Sequence, residues 1–364
     1  MLEKPTMAKR RVALMIEWSR EYGRGILRGI ASHVRTHGNW KIFHAERRLC
    51  DGVPSWLRNW RGDGIIARIE NQALLTQVKK MKLPTVNLYD CDEMPGMARI
   101  LTGEADVGRM AAEHLLERKL EHFAYCGLPG LPPSDLRGKY FIEHLASAGY
   151  YDVYQYENPC HSHTSYISST EEYELLCEDA LTDWIGSLPK PVGLMACNDV
   201  RAHQVLMSCG ENGIAVPDEV AVIGVDNDEM VCEICQPSLS SIELDSQQVG
   251  FEAAVLLDRM MDGEPLPKEA TIIKPLRVVP RQSTDVLAVT DADIAAAVHF
   301  IREHACEGIC VSDILGQVHL SRSTLERRFV KALSRSAKAE IVRVQLDRVK
   351  QLLAETNYPL AKVA

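Results

Sequence analysis

The stretch VAVIGVD, residues 220 to 226, decides the fold of most of this chain. It is a continuous apolar run, rich in valine, that ends on a carboxylate. Five similar runs precede it: RVALMIE (11–17), GDGIIARI (62–69), LPTVNLY (83–89), HFAYCGL (122–128) and VGLMACN (192–198). Short apolar runs separated by segments of helical length indicate parallel strands covered by helices on both faces. The sequence therefore predicts an α/β protein with doubly wound parallel sheets.

The segments between the runs have helical periodicity. GRMAAEHLLERK (108–119) places its apolar residues on one side and its charges on the other. VGFEAAVLLDRMMDG (249–263) has the same pattern and stops at a glycine, the usual residue after a helix C-terminus. Strands and helices thus alternate, as a doubly wound sheet requires.

Polar residues follow the apolar runs directly, at the edge where such sheets bind ligands. The candidate ligand-binding residues are Glu17, Trp18, Ser19, Arg68, Arg137 (with Asp135, in a loop), Asn198, Asp199 and Asp226 (with Asn227). Carboxylates, amides and a guanidinium beside a tryptophan suit a polyhydroxylated ligand. Helix capping is the alternative role for any one of these Asn, Asp and Ser residues. Five such strand ends at one cleft favour a pocket.

The bulk composition is that of a globular protein. The chain has 364 residues, 46% of them apolar and 25% charged, which predicts two or three domains. The N-terminal apolar run VALMI is only five residues long and is followed by Glu17, so we expect no signal peptide. No run approaches the roughly 20 apolar residues of a membrane span. A cytoplasmic protein with no membrane association is expected.

Motifs for metals, cofactors and catalysis are missing. Eleven cysteines are scattered, and the close pairs CEIC (232–235) and CEGIC (306–310) have no second pair at zinc-site spacing. YGRGILRG (22–29) approaches the dinucleotide fingerprint, but it begins too far after the strand and its last glycine is displaced. We therefore expect no structural metal, no cofactor and no enzymatic activity.

Several motifs resemble the sugar-sensing core of lactose-repressor and periplasmic-binding-protein-type sensors. They are GRGILRGIASHV after the first run, ACNDVRA (196–202), VPDEVAVIGVDNDEM (216–230) and PSLSSI (237–242). The resemblance implies two Rossmann-like lobes joined by three crossovers and closing on a small sugar. It also implies that Arg137, Asp199 and Asp226 bind sugar hydroxyls. We expect one lobe at about 10–118 and 245–265 and the other at about 119–243 and 266–285, a sensor of 10–285 followed by a linker at 286–290.

The end of the chain differs in charge and in pattern. From residue 288 onward it carries 11 Lys and Arg against 9 Asp and Glu, a net charge of +2. The whole chain has a net charge of −9, so residues 1–287 carry −11. Such an asymmetry is a hint of nucleic-acid binding. DADIAAAVHFIREHACEG (291–308) predicts a capped amphipathic helix, and a helix-turn-helix follows over about 312–333, with Ser312 and Ser321 as expected caps.

The second helix of this pair has the chemistry of a DNA-reading helix, although a solvated amphipathic helix is the alternative. Leu325 and Phe329 are spaced to pack inward. The remaining candidates are Arg322, Ser323 and Glu326 toward base edges, and Arg327, Arg328 and Lys331 toward phosphates.

The segment from VSDILGQ to the end resembles an AraC-type DNA-binding domain. The resemblance rests on S-R-S-x-L-x-R-x-F, a long linking helix at about 338–354 and L-x-x-T-x-x-P-L-x-x-V-A. It implies an all-α domain over 291–364, incomplete because its second reading helix would follow Ala364. Joined to a sugar sensor, this arrangement is similar to the bacterial xylose operon regulators. That implies double-stranded DNA, a small sugar effector such as D-xylose, a homodimer, activation of transcription and possible contact with RNA polymerase.

Two positions depart from the sugar-sensor pattern. Arg68 stands where xylose regulators have an acidic residue, and Glu243 with Leu244 stand where a glutamine is common. Because an arginine in the pocket could pair with a carboxylate or phosphate, a sugar acid or sugar phosphate, acting through a repressor, is the alternative effector.

Overall fold

The structure is a computed structural model that describes residues 9–37, 40–45, 51–89, 97–157, 178–286, 291–333 and 335–355. The chain divides into two compact units, Met1–Val286 and Leu287–Ala364. Each unit has its own apolar core among the described residues. Most of the expected linker, residues 287–290, lies outside the described residues.

The first unit contains two six-stranded sheets with helices between the strands. The strands are β1 (Arg10–Met15), β2 (Trp40–His44), β3 (Gly64–Ala67), β4 (Thr85–Asn87), β5 (Ala98–Thr102), β6 (His122–Cys126), β7 (Val153–Gln155), β8 (Val192–Ala196), β9 (Val220–Val225), β10 (Ser240–Glu243), β11 (Thr271–Ile273) and β12 (Arg277–Val279). The helices are α1 (Glu21–His37), α2 (Gln72–Met81), α3 (Glu104–Leu116), α4 (Pro132–Ser147), α5 (Glu178–Ser187), α6 (Asp199–Glu211), α7 (Glu229–Ile234) and α8 (Ser246–Met261).

The two sheets have the same strand order. The first runs β2-β1-β3-β4-β5-β11 and the second β7-β6-β8-β9-β10-β12. The described pairs are parallel except β10 with β12, which is antiparallel. The predicted doubly wound α/β architecture is confirmed. In each sheet the order reverses beside the first strand, β1 or β6, and these switch points are where open α/β sheets bind ligands.

The chain passes between the lobes three times, but two of the boundaries differ from those expected. Helix α3 packs on the second sheet, with Val107 and Ala111 in the same cluster as Phe123, so the first crossover lies at Gly103 rather than near residue 118. Strand β11 pairs with β5 of the first sheet, so the last crossover lies between β11 and β12 rather than at 266. The first lobe therefore comprises β1–β5, β11, α1, α2 and α8, and the second lobe comprises the rest.

The glycines of GRGILRG serve helix packing. A Cβ at Gly25 would lie 1.9 Å from the Ser246 hydroxyl, and one at Gly29 would lie 1.9 Å from the Gln247 carbonyl oxygen. On the opposite helix, α8, a Cβ at Gly250 would lie 2.0 Å from the carbonyl oxygen of Ile26 in α1. Helices α1 and α8 thus approach each other backbone to backbone. This contact gives the spacing a structural cause other than dinucleotide binding.

The second unit is helical. Its helices are α9 (Ala292–His304), α10 (Val311–Leu315), α11 (Arg322–Leu333) and α12 (Ala337–Glu355). Asp291 caps α9 by accepting from the Ile294 amide, and Ser321 caps α11 by accepting from the Thr324 amide at 3.2 Å. Helix α10 begins one residue earlier than expected, so Ser312 is not its cap. Cys310 and Asp313 form its capping box instead.

Helix α12 begins around a buried ion cluster that sequence patterns did not indicate. Glu340 is fully buried, and its carboxylate lies 2.5 Å from Arg335 Nε and 2.7 Å from Arg343 Nη2. A buried carboxylate needs such partners, so the cluster fixes the first turn of α12. The prediction that this domain is incomplete rests on the motif that ends at Ala364. Residues 356–364 lie outside the described residues, so it stays a prediction.

Within the described part of the chain, none of the helices combines the length and the apolar character required to cross a bilayer.

Candidate functional site

A cavity opens in the first unit where strands of both sheets end. Its lining consists of residues that follow β1, β3, β4, β6, β8 and β9 along the chain, together with the end of β5 and the residue that opens α3. They are Arg20, Tyr22, Arg68, Leu88, Tyr89, Leu101, Thr102, Glu104, Leu128, Leu131, Pro133, Ser134, Arg137, Cys197, Asn198 and Asp226. The carboxyl ends of parallel strands are the binding edge of such sheets, so this cavity is the candidate effector site.

Arg68, directly after β3, lies between two carboxylates and two aromatic rings. Its Nη1 is 2.6 Å from Glu17 Oε1, and its Nε is 3.3 Å from Glu70 Oε1. The guanidinium lies 5.2 Å from the ring centre of Tyr22 and 5.6 Å from that of Tyr89. Burial lowers its pKa, but the two carboxylates raise it more, and the net shift is upward. The protein itself therefore neutralises this arginine.

Arg137 lies on helix α4, not in a loop as expected. Its Nε donates to Glu104 Oε2 at 2.7 Å, and its Nη1 donates to the Cys197 carbonyl at 2.6 Å. Asp226 Oδ1 stands 3.9 Å from the same Nη1. Burial lowers the pKa of Arg137, but Glu104 and Asp226 raise it more, so the net shift is upward. This second guanidinium is also paired with acidic groups of the protein.

Asp226 presents a carboxylate to the cavity from an unusual backbone conformation. Its φ is 109°, and that of the next residue, Asn227, is 49°. Residues other than glycine rarely adopt positive φ, and such strain concentrates at functional sites. The loop is held because the Asp226 amide donates to the Ile242 carbonyl at 3.0 Å. Burial raises the pKa of Asp226 to about 6, against the opposing effect of Arg137 and Arg20.

Asn198 lines the cavity and also caps a helix. Its Oδ1 accepts from the Arg201 amide at 2.8 Å at the start of α6. The sequence left two alternative roles open for this residue, helix capping and a place in the binding pocket. In the structure the Asn198 side chain both caps α6 and borders the cavity.

Four of the eight sequence-predicted ligand residues, Arg68, Arg137, Asn198 and Asp226, are brought together in the lining. Glu17 lies behind Arg68 and is 2% exposed. Trp18 is 43% exposed and contacts the ring of His44, while the Ser19 carbonyl accepts from Arg24. None of these three residues belongs to the cavity lining.

Asp199 is placed inside the second lobe, away from the cavity lining. Its Oδ1 accepts from the Ser241 hydroxyl at 2.5 Å, and its Oδ2 accepts from the Asp228 amide at 2.7 Å. The Cys232 thiol is 3.6 Å from Oδ2. Burial raises the pKa of Asp199 above its usual value. In this position Asp199 holds the loop after β9 and is not directed at a ligand.

Of the residues that depart from the sugar-sensor pattern, Arg68 lines the cavity, whereas Glu243 and Leu244 do not. Leu244 is buried in the core of the second lobe, and Glu243 accepts from Arg277 Nε at 2.8 Å. Sequence reasoning missed the lining residues Arg20, Tyr22, Tyr89, Thr102 and Glu104. A signal existed for Glu104, because it opens an amphipathic helix one residue after the apolar stretch ARILT (98–102), which forms β5.

Helix α11 carries the candidate DNA-binding residues of the second unit. Leu325 and Phe329 are fully buried, as their spacing predicts. Arg322, Ser323, Arg327 and Lys331 are exposed and Glu326 is half-buried.

Arg328 is engaged within the second unit. It pairs with Asp291, the cap of α9, and its Nη1 lies 3.0 Å from Asp293 Oδ2. This pairing ties α11 to the start of α9 and competes with the phosphate contact expected from the sequence.

Among the described residues no group of three or more His, Cys, Asp or Glu side chains is arranged to hold a metal ion.

Comparisons with known proteins agree with this architecture. Two family profiles match the first unit: the XylR N-terminal domain over residues 11–95 and the periplasmic binding protein-like domain over residues 112–284. The xylose operon regulatory protein of Escherichia coli K12 is 29% identical over 98% of this chain and 90% of its own length. The chain resembles the xylose operon regulatory proteins almost throughout.

Three further comparisons extend the likeness. The xylose operon regulatory protein of Haemophilus influenzae is 29% identical over 97% of this chain and 90% of its own length. The solved structure of the xylose-binding transcription activator xylR has a TM-score of 0.79 at 29% identity, over 98% of this chain and 91% of that one. A periplasmic binding protein/LacI regulator from Alkaliphilus metalliredigens, 20% identical with a TM-score of 0.60 over 76% of this chain and all of its own, shares the fold. The likeness to the xylose regulators thus spans both units.

Proposed function

We propose that this chain is a DNA-binding transcription regulator controlled by a small neutral sugar that binds in the cavity between the lobes, with D-xylose as the first candidate. The observation that carries the proposal is the pairing of both central arginines with carboxylates at the strand ends, in a chain 29% identical to xylose operon regulatory proteins over 98% of its length. The relatives' names support D-xylose as the candidate, and the pairing of the cavity's arginines supports a neutral ligand.

Charge balance supports a neutral polyol. Arg68 forms ion pairs with Glu17 and Glu70, and Arg137 forms one with Glu104. The negative charge of an anionic ligand would therefore enter a buried site in which these two guanidinium groups are already paired with carboxylates. Paired guanidinium and carboxylate groups still offer hydrogen-bond donors and acceptors to hydroxyls.

A sugar acid or sugar phosphate, with repression as the outcome, is the second candidate. One observation favours it: the lining contains three arginines, Arg20, Arg68 and Arg137, but only two carboxylates, Glu104 and Asp226. A carboxylate or phosphate could take a forked hydrogen bond from one guanidinium. The two candidates differ in the ligand charge that the cavity prefers.

The DNA-binding role belongs to helix α11. Its exposed N-terminal residues Arg322 and Ser323, with Glu326, are suited to base edges in the major groove, and Arg327 and Lys331 to phosphates. The AraC-type character of this domain rests on the motifs in the sequence. Arg328 contributes to phosphate binding only if it leaves Asp291 and Asp293.

Regulation follows from lobe closure. A sugar that binds the closed form more tightly than the open form shifts the balance between them by the ratio of the two affinities. In a homodimer, the shift would change the spacing of two DNA-binding units and hence operator binding. Activation, with contact to RNA polymerase, is the proposed result, acting in the cytoplasm and without catalysis by the chain.

Thermal-shift and calorimetric titration test the ligand class. The ligands are D-xylose, D-ribose, L-arabinose, D-xylonate and D-xylose 5-phosphate, and the variants are Asp226→Ala and, as control, Lys139→Gln on an exposed helix face. We expect a neutral pentose to bind. Asp226→Ala should weaken this binding, and the Lys139→Gln control should leave the affinity unchanged. Preference for the acid or phosphate would select the second candidate.

Footprinting tests the DNA-binding part. Wild type and Arg322→Ala are compared on promoter DNA with and without the pentose that binds most tightly. Protection that depends on the sugar and is lost in Arg322→Ala is expected, whereas no protection of any promoter DNA in either condition would reject the regulator.

A further inference from the structure

Asp228 sits at the first turn of one helix but caps another. It occupies the N-cap position of α7 in the second lobe, yet its side chain makes no capping hydrogen bond there. Its Oδ2 instead accepts from the backbone amide of Glu21 at 2.9 Å. Glu21 is the first residue of α1, which belongs to the first lobe. The carboxylate therefore fills the N-cap role for a helix of the opposite lobe, where orphan amides and the helix dipole favour a negative charge.

Arg24, one turn along α1, completes the contact. Its Nη2 lies 3.2 Å from Asp228 Oδ2 and 3.3 Å from Oδ1. Its Nε pairs with Glu21 Oε2 at 3.1 Å, and its Nη1 donates to the Ser19 carbonyl at 2.9 Å. Asp228 is only 8% exposed, whereas the Arg24 side chain is 30% exposed, so the contact is partly shielded from water. We call the contacts of Asp228 with the Glu21 amide and with Arg24 the interlobe cap.

The interlobe cap joins the two loops that carry cavity residues. Asp226 lines the cavity two residues before Asp228, and Arg20 lines it one residue before Glu21. Neither Asp228 nor Arg24 belongs to the lining. On the side of the second lobe, the Asp228 amide is anchored by Asp199. The cap thus adjoins the site without touching the space that a ligand would fill.

We propose that the interlobe cap is the latch that sets the energy of lobe closure, and through it the affinity and response of the effector site. The contact joins groups of different lobes, so separation of the lobes breaks it and closure restores it. An interaction made in only one of two states shifts the balance toward that state. The effect on effector affinity rests on the proposed sugar-binding function; the effect on closure does not.

The test compares variants of the full chain. Asp228→Ala removes the cap and the ion pair, and Asp228→Asn keeps a capping oxygen but loses the charge. Arg24→Gln leaves the contact of Asp228 with the Glu21 amide and removes the ion pair, together with the contacts of Arg24 within its own helix turn. Arg109→Gln is the matched control, because Arg109 also pairs with acids one turn away on its helix, but within one lobe. Calorimetry with D-xylose gives Kd, and hydrogen exchange of the peptide covering residues 20–24 reports the first turn of α1 without any ligand.

We expect Asp228→Ala to weaken D-xylose binding roughly tenfold, the size of a lost N-cap. Asp228→Asn and Arg24→Gln should weaken binding less, and Arg109→Gln should leave the affinity unchanged. The Arg24→Gln/Asp228→Ala double variant should lose no more than Asp228→Ala, since the pair acts as one contact. Exchange at residues 20–24 should rise in the same order.

Exchange changes confined to the loop after β9, with residues 20–24 unaffected and Kd unchanged, would overturn the latch. If Asp228→Ala does not fold, Arg24→Gln against Arg109→Gln decides the question by the same two measurements. If no sugar binds to the wild type, the proposed function fails, while exchange at residues 20–24 still decides whether the interlobe cap acts.

Discussion

Arg68 is a buried cation whose two partners are buried as well. The side chains of Glu17 and Glu70 are 2% and 3% exposed. The sequence identified Arg68 as an exception to the sugar-sensor pattern and left a ligand carboxylate or phosphate as one alternative partner. It could not identify the internal partner, because Glu17 comes from a different strand end that only the fold brings within 2.6 Å.

Substitution of Arg68 is expected to cost stability more than it changes ligand preference. Arg68→Gln leaves two buried carboxylates without their cation, and breaking a buried pair costs about 3–5 kcal/mol of the free energy of unfolding. The urea midpoint should fall accordingly, and Glu17→Gln in the same chain should restore part of it. Arg109→Gln, an exposed pair, should cost under about 1 kcal/mol. Equal losses for Arg68→Gln and Arg109→Gln would contradict the buried pairing.

Asp226 is expected to make effector binding depend on pH. Its pKa of about 6 means that the carboxylate, the form proposed to accept hydrogen bonds from sugar hydroxyls, dominates only above that pH. Affinity for D-xylose should therefore fall as pH decreases from 7.5 to 5, by up to about tenfold for one pH unit below the pKa. Calorimetry at several pH values measures it. Asp226→Asn should bind more weakly with a flat profile; a wild-type profile that is equally flat would contradict this role.

The same group is expected to affect stability with the opposite trend. A carboxyl whose folded pKa is raised stabilises the fold at low pH, and this stabilisation is lost as pH rises through about 6. Asp226→Asn should therefore raise Tm at pH 7.5, and the gain should shrink as pH falls toward 4. Thermal scans of both proteins across this range provide the comparison, and a gain that grows on acidification would be the contrary result.

At the scale of elements, burial separates what the sequence predicted from what it missed. All six apolar runs are strands, because strands buried on both faces must be continuously apolar. The missed strands include β2, β7 and β11, which are edge strands with mostly exposed or half-buried residues and therefore lack that signal. Helix α3 was found by its periodicity, but periodicity shows only that one face is buried. It does not show which sheet covers that face, so the lobe boundary was misplaced.

Helix α11 separates two kinds of arginine that look alike in sequence. Arg327 is exposed, whereas Arg328 pairs with Asp291 and Asp293. Arg327→Ala should weaken operator binding and reduce the slope of log K against log salt by roughly one. Arg328→Ala should leave the slope nearly unchanged and lower the thermal midpoint of the second unit, because it removes the pairing with Asp291 and Asp293. Gel shifts over a salt series and thermal unfolding make the comparison, and an equal loss of slope in both variants would show that Arg328 binds phosphate.

At the scale of the whole molecule, one strand order used twice explains how distant residues form one site. Both sheets reverse their order beside their first strand, and the residues after β1, β3, β6, β8 and β9 meet at one cavity. The sequence predicted this convergence from the positions of polar residues after apolar runs. It could not predict which of them point inward, since Trp18 and Ser19 follow β1 as closely as Arg20 does.

The division of the chain into two units with separate cores predicts how ligand changes stability. A sugar in the cavity stabilises the unit that binds it by RT ln(1 + [L]/Kd), about 2.7 kcal/mol at a hundredfold excess over Kd. The second unit has its own core, built from residues such as Ile294, Val298, Leu325 and Phe329. Calorimetric scans should therefore contain two transitions. D-xylose should raise the midpoint temperature of only the transition with the larger enthalpy, which belongs to the larger unit. Operator DNA should raise only the other. A single transition that both ligands shift equally would mean that the units unfold together, and regulation would then act through shared stability and not through lobe closure alone.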